Sequence, residues 1–157
     1  MRPYASYMGR SYTNINVHII FHTKSGTCMI DEADLPQIFR YIGGVIRSLS
    51  GFAFIVGGRP DHIHILASVP VTLSLSEFIG RIKSNTSRWI KELHEQYKDF
   101  SWQEGYGAFS VSESNKDEVI KYILNQEQHH RRCSAQEEFL RFLERNRISS
   151  DYAGRDE

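Results

Sequence analysis

Cysteine is close to absent from this chain. Cys28 and Cys133 are the only two in 157 residues, far apart and outside any Cys-x-x-Cys spacing. That argues against a disulfide scaffold or a cysteine-built zinc site, and both read as incidental free thiols. Long apolar runs are missing too. None approaches the roughly 18 residues of a membrane span. Residues 1–12 carry two arginines but no apolar stretch, which is not the pattern of a secretory signal. The expectation is a cytoplasmic protein with no membrane partner. Nor is one sign of charge in excess, since 19 basic residues balance 19 acidic ones. This counts against indiscriminate coating of nucleic acid, where a basic surplus is usual. No low-complexity segment and no repeat of solenoid length is present.

What is there is ordinary for a globular protein: 40% apolar and 24% charged residues. The length suffices to bury a core without metal or disulfide staples. A single domain over 1–157 is expected, with 1–11 as a polar arm and 149–157 as a flexible tail. The basic residues are unevenly spread. Arg131, Arg132, Arg141, Arg145 and Arg147 crowd the C-terminal part, and Arg81, Lys83, Arg88 and Lys91 share one central segment.

Residues 13–23 are rich in β-branched and aromatic types and predict a strand ended by Ser25-Gly26. Over 31–50, Leu35, Ile38, Phe39, Ile42, Ile46 and Leu49 recur at helical spacing. Two strands follow at 52–57 and 62–69, joined by the turn-forming Gly58-Arg59-Pro60-Asp61. A second helix is predicted over 74–97, with Leu75, Phe78, Ile79, Ile82, Trp89 and Leu93 on its inner side. A fourth strand at 106–112 comes next. Ser114 with Asp117 resembles a capping box opening a helix over 115–130. A last amphipathic helix spans 134–146. The order β-α-β-β-α-β plus two helices predicts an α+β, ferredoxin-like (RRM-like) split βαβ. Its antiparallel sheet would carry helices on one face, and a tyrosine-bearing helix would follow.

The strongest local signal is Pro60-Asp61-His62-Ile63-His64-Ile65. Strand side chains alternate, so His62 and His64 point one way while Ile63 and Ile65 point the other. Two neighbouring imidazoles can chelate a metal ion, or they can be plain half-buried strand histidines. The second signal is Tyr122, Gln126 and His129, at i, i+4 and i+7 on one helix face. Tyr122 is either a nucleophile beside a metal ligand or a surface tyrosine. Together the signals fit phosphoryl transfer. A divalent ion held by His62, His64 and Gln126 could polarise a phosphate while Tyr122 attacks it. Imidazole and amide donors suit Mn²⁺, or Mg²⁺ where phosphate oxygens complete the shell.

His62-Ile63-His64 resembles the His-hydrophobic-His motif of the HUH nucleases. Tyr122 followed by Gln126 resembles the tyrosine helix of the single-tyrosine transposases of small insertion sequences and their REP-associated relatives. Residues 102–112 (WQEGYGAFSVS), 122–130 (YILNQEQHH) and 136–139 (QEEF) are similar to that family as well. The resemblance runs from about residue 12 to residue 148. It implies cleavage of single-stranded DNA through a covalent 5′-phosphotyrosine, a free 3′-OH, and rejoining without ATP. It also implies recognition of hairpins, a homodimer in which one subunit's tyrosine can serve the other's metal site, and no small-molecule substrate. Tyr122 would be the nucleophile and His62, His64 and Gln126 the ligands of Mg²⁺ or Mn²⁺.

Arg81, Ser84, Arg88 and Lys91 fall opposite the apolar stripe of their helix, where they could contact DNA phosphates or simply form a solvated face. His18 and His22 are expected to support the His pair from a neighbouring strand. Tyr12, Trp102 and Tyr106 could stack on bases or serve the core. The competing functions are a non-catalytic module binding hairpin or single-stranded DNA, and a hydrolase in which water replaces Tyr122 as attacking group.

Overall fold

The structure, a computed structural model, describes residues 11–25, 29–130 and 132–149. Four strands form one antiparallel sheet: β1 (Asn16–His22), β2 (Phe52–Arg59), β3 (His62–Ser68) and β4 (Gly107–Val111), in the order β2-β3-β1-β4. Helices α1 (Leu35–Ser48) and α2 (Leu75–Leu93) make the two crossovers. Helices α3 (Lys116–Leu124), α4 (Gln126–His130) and α5 (Ala135–Arg145) follow β4. This is the expected ferredoxin-like arrangement.

The two sheet faces do different work. On the first, Val17, Ile19 and Phe21 of β1 and Ile63 and Ile65 of β3 pack against Ile38, Ile42 and Ile46 of α1 and Phe78, Ile79, Ile82 and Ile90 of α2. Each fully buried Ile or Phe contributes about 1.5–3 kcal/mol, so this layer holds the fold. The second face carries His18, His22, His62 and His64, together with a small cluster of Ile20, Phe109 and Leu143 flanked by Phe139 and Phe142. Helices α3 to α5 close over it.

Two glycines set how closely they close. A Cβ on Gly57 of β2 would stand 2.7 Å from Cγ2 of Ile123 and 3.2 Å from its carbonyl oxygen, so α3 sits directly on bare backbone. A Cβ on Gly107 of β4 would stand 2.7 Å from the Phe139 ring of α5.

Several boundaries differ from expectation. The first helix begins at Leu35, and the buried carboxylate of Asp34 before it does not cap the helix. That carboxylate accepts from the Tyr97 hydroxyl (2.6 Å) and Gln37 (2.9 Å), and it pairs with His94 (3.1 Å). Strand β2 runs on to Arg59, leaving a two-residue connection; Gly58 makes this possible at a φ of 146°, where a side chain would strike the His62 carbonyl. The capping box does not form at Ser114, which lies in a 3₁₀ turn, but it does form between Ser134 and Glu137 at the start of α5. The helix expected over 115–130 divides at Asn125 into α3 and α4. Cys133 is a buried free thiol; Cys28, Arg131, and nearly all of the expected arm and tail lie outside the described residues.

Gly57→Ala should destabilise the protein by about 1–3 kcal/mol, since α3 must shift to admit the methyl. Gly80→Ala, where a Cβ meets nothing within 4 Å in the middle of α2, should stabilise it by about 0.5–1 kcal/mol. Urea unfolding of the two variants checks both signs.

Candidate metal centre and nucleophile

His62 and His64 lie on adjacent same-face positions of β3, and both are fully buried. Each ring is fixed from behind. His62 donates from Nδ1 to Asp61 Oδ1 at 2.7 Å, because the carboxylate can only accept. His64 Nδ1 shares a proton with His18 Nε2 at 2.9 Å. His22 stacks on His62 with ring centroids 5.7 Å apart. The supporting roles expected of His18 and His22 therefore match the geometry. Such partners fix which ring nitrogen is free and where it points.

Both Nε2 atoms consequently face one space. Gln126 Oε1 lies 3.1 Å from His62 Nε2, and Glu138 Oε1 lies 2.7 Å from His64 Nε2 and 3.7 Å from His62 Nε2. The donor atoms of His62, His64 and Glu138 fall within 4.8 Å of one another. With its proton committed to Asp61, His62 presents a lone pair toward an amide oxygen and a carboxylate. A convergence of acceptors of this kind is stabilised by a cation between them, and the nitrogen–oxygen set fits a divalent metal.

Tyr122 enters from α3. Its hydroxyl donates to Glu138 Oε2 in a short hydrogen bond, and its ring stands edge-on to His64, His129 and Phe142 at centroid distances of 5.9, 5.1 and 5.5 Å. The helix break at Asn125 keeps Tyr122, Gln126 and His129 on one side, since the amides of Asn125 and His129 still bond Lys121 and Asn125. Burial, reinforced by the Glu138 carboxylate, holds the phenol well above its ordinary pKa. In this state the hydroxyl keeps its proton.

The residue to which sequence reasoning gave no role is Glu138, although the stretch 136–139 was singled out. It is buried on α5 and meets His64, Tyr122, Gln126 (3.3 Å), His129 (3.1 Å) and His130 (3.2 Å). Burial disfavours its charge, but the His64 and Tyr122 partners outweigh that and hold the carboxyl below its ordinary range. The one available signal was its place one turn before Phe142, on the side of α5 that also carries Ala135 and Leu143.

The proposed DNA-contact residues are elsewhere. Arg81, Arg88 and Lys91 are exposed on the outer side of α2, across the sheet from the histidines, and Arg81 pairs with Glu77 at 2.8 Å. Trp102 is core, packed edge-on against Phe21 and Phe100, whereas Tyr106 and Tyr12 are exposed. Among the described residues no helix is long and apolar enough to cross a membrane.

A family model described as "Transposase IS200 like" matches residues 11–126. The transposase for insertion sequence element IS200 of Salmonella typhimurium is 27% identical over 125 residues, covering 72% of this chain and 77% of that protein. Two solved structures share the fold. A candidate transposase of Deinococcus radiodurans R1 aligns with a TM-score of 0.58 and 18% identity, over 77% of this chain and 98% of its own. A REP-associated tyrosine transposase bound to a REP hairpin aligns with a TM-score of 0.57 and 16% identity, over 80% and 74% respectively.

The buried imidazoles make stability depend on pH. Burial lowers His18 to about 3 and His64 to about 4 from an ordinary 6.5. Their contribution is full above 6.5 and is shed as pH falls toward the folded values, because the unfolded chain then binds the extra protons. Each such histidine adds up to about 1.4 kcal/mol per pH unit to the slope. His18→Leu should flatten the fall in unfolding free energy between about pH 6 and 4 by close to one proton. Urea unfolding at stepped pH measures it, and an unchanged slope would refute the assignment.

Proposed function

This chain belongs to the IS200-like transposase family, and on that premise we propose that it cleaves and rejoins single-stranded DNA with Tyr122 as nucleophile. One observation carries the reading. The Tyr122 hydroxyl and the His64 imidazole bond opposite oxygens of the same buried carboxylate, so nucleophile and metal-binding histidines occupy a single site. A protein that only bound DNA would have no need of this convergence.

His62 and His64 would hold Mg²⁺ or Mn²⁺, with Gln126 Oε1 as a further donor on the same space. A bound divalent ion supplies positive charge against the developing charge of a phosphoryl-transfer transition state. The rest is the work of the chain. Asp61 and His18 keep both imidazoles aimed, and α3 presents the phenol at the edge of the metal-binding space. Tyr122 Oη attacks phosphorus, a P–Oη bond forms, and the P–O3′ bond breaks. The phenolic proton ends on the departing 3′ oxygen, directly or through solvent. The product is a 5′-phosphotyrosine and a free 3′-OH. Reversal by another 3′-OH rejoins the strand with no external energy, because one ester has replaced another.

The partner is single-stranded DNA with hairpins, as in the REP-hairpin complex of the structural neighbour. Arg88, Lys91 and Arg81, remote from the His pair, would meet phosphates of the hairpin stem rather than the scissile one. The working unit is a homodimer, within which the tyrosine acts in cis or in trans. The whole chain acts as one transposase domain.

Incubation with 5′- and 3′-labelled hairpin oligonucleotides and Mn²⁺ should give a denaturation-resistant protein–DNA band bearing only the 3′-side label. Tyr122→Phe should abolish it. Nicking without a band would mean water attacks, and binding without either would leave a DNA-binding module. Arg88→Ala with Lys91→Ala should weaken hairpin binding and lower its salt slope by about two, at roughly one released counterion per contact.

A further inference from the structure

The family match stops at residue 126, but the site does not. Twelve residues further on, α5 brings Glu138 into the centre of the histidine cluster, and the way this helix is held leaves the carboxylate little freedom. The Ser134–Glu137 capping box fixes its start. Phe139 lies on the bare backbone of Gly107, and Leu143 packs with Ile20 and Phe109. Phe142 stands among the rings of His18, Phe109 and Tyr122 at 5.0, 5.6 and 5.5 Å. Between Ala135 and Leu143, both buried, Glu138 is the one inward position given to an acid. An unneeded charge there would be strongly destabilising, since a carboxylate taken out of water needs partners to replace its hydration.

Its two oxygens face different things. Oε1 looks to the metal-binding space, 2.7 Å from His64 Nε2. Oε2 accepts from the Tyr122 hydroxyl and from Gln126 Nε2, with His129 and His130 close by. We propose that Glu138 is a bridging residue that completes the metal centre from outside the family's matched core, offering Oε1 to the cation and holding the Tyr122 hydroxyl with Oε2. In this way it fixes the distance between nucleophile and metal. The inference rests on the metal and nucleophile assignments above. It adds an anionic donor, which His62, His64 and the neutral Gln126 do not supply, and it makes α5 part of the active centre.

Mn²⁺ binding to the full chain, read by calorimetry and by loss of the free-ion signal in electron paramagnetic resonance, tests the first half. Glu138→Gln, which preserves shape, and Glu138→Ala should both weaken binding by about 10- to 100-fold, the usual loss for a residue that completes or supports a metal site. Affinity within twofold of wild type in the folded Gln variant would overturn the proposal. His64→Ala is the control for the underlying reading. If it leaves Mn²⁺ binding intact, the His-pair assignment fails. If it abolishes binding while Glu138→Gln does not, only the bridge fails.

Adduct formation at saturating Mn²⁺ tests the second half. Glu138→Gln retains an oxygen for the Tyr122 hydroxyl and should recover most of the wild-type rate. Glu138→Ala should remain at least tenfold slower. Full recovery of the Ala variant would show that Oε2 does nothing for Tyr122 and would remove the bridging role.

Discussion

A carboxylate that is both buried and ionised has to be surrounded by donors or cations, and the second face of this sheet is arranged around that requirement. Glu138 is buried beneath α3 to α5, and the polar side chains that reach it are His64, Tyr122, Gln126, His129 and His130. Burial and the carboxylate together keep the proton on Tyr122, whereas His64 stays neutral because burial outweighs the pull of Glu138 towards its charged form. The placement of α5 also follows from that carboxylate; this would otherwise be a short amphipathic helix covering a small apolar cluster.

Most of the first sheet face could be read directly in the sequence. The stripes of α1 and α2 and the alternation of Ile63 and Ile65 with His62 and His64 are periodic patterns, and periodicity survives folding with little change. The His pair and the Tyr122–Gln126 spacing were legible for the same reason, each being local to one element. What escaped depends on contacts between distant segments. Glu138 and Tyr122 are 16 residues apart on different helices, and Gly57 of β2 meets Ile123 of α3. Glu138 looked like one acid among several in Gln136-Glu137-Glu138, because nothing local says which of two adjacent glutamates turns inward. The failed capping box at Ser114 has a similar cause. The chain leaving β4 tightens into a 3₁₀ turn there, and Glu113 is drawn instead toward Lys116, Asn14 and Asn16.

The span of the family model and the extent of the second-face cluster do not coincide. The sheet, its first-face core, the His pair and the tyrosine helix all lie within residues 11–126. The helix that seats Glu138 lies beyond them.

One consequence concerns how the chain finds its native pairing. Along β3, isoleucines and histidines alternate strictly, so slipping the strand by one residue would drive two imidazoles into the apolar core and expose two isoleucines on the polar face. Either half of that exchange is costly, and no partial slip avoids it. The histidine pair thus acts as a check on alignment: in the register observed, with the tight Pro60–Asp61 connection and the left-handed Gly58, both imidazoles reach the second face together. The gathering of the histidines and correct strand pairing are therefore a single condition in this protein.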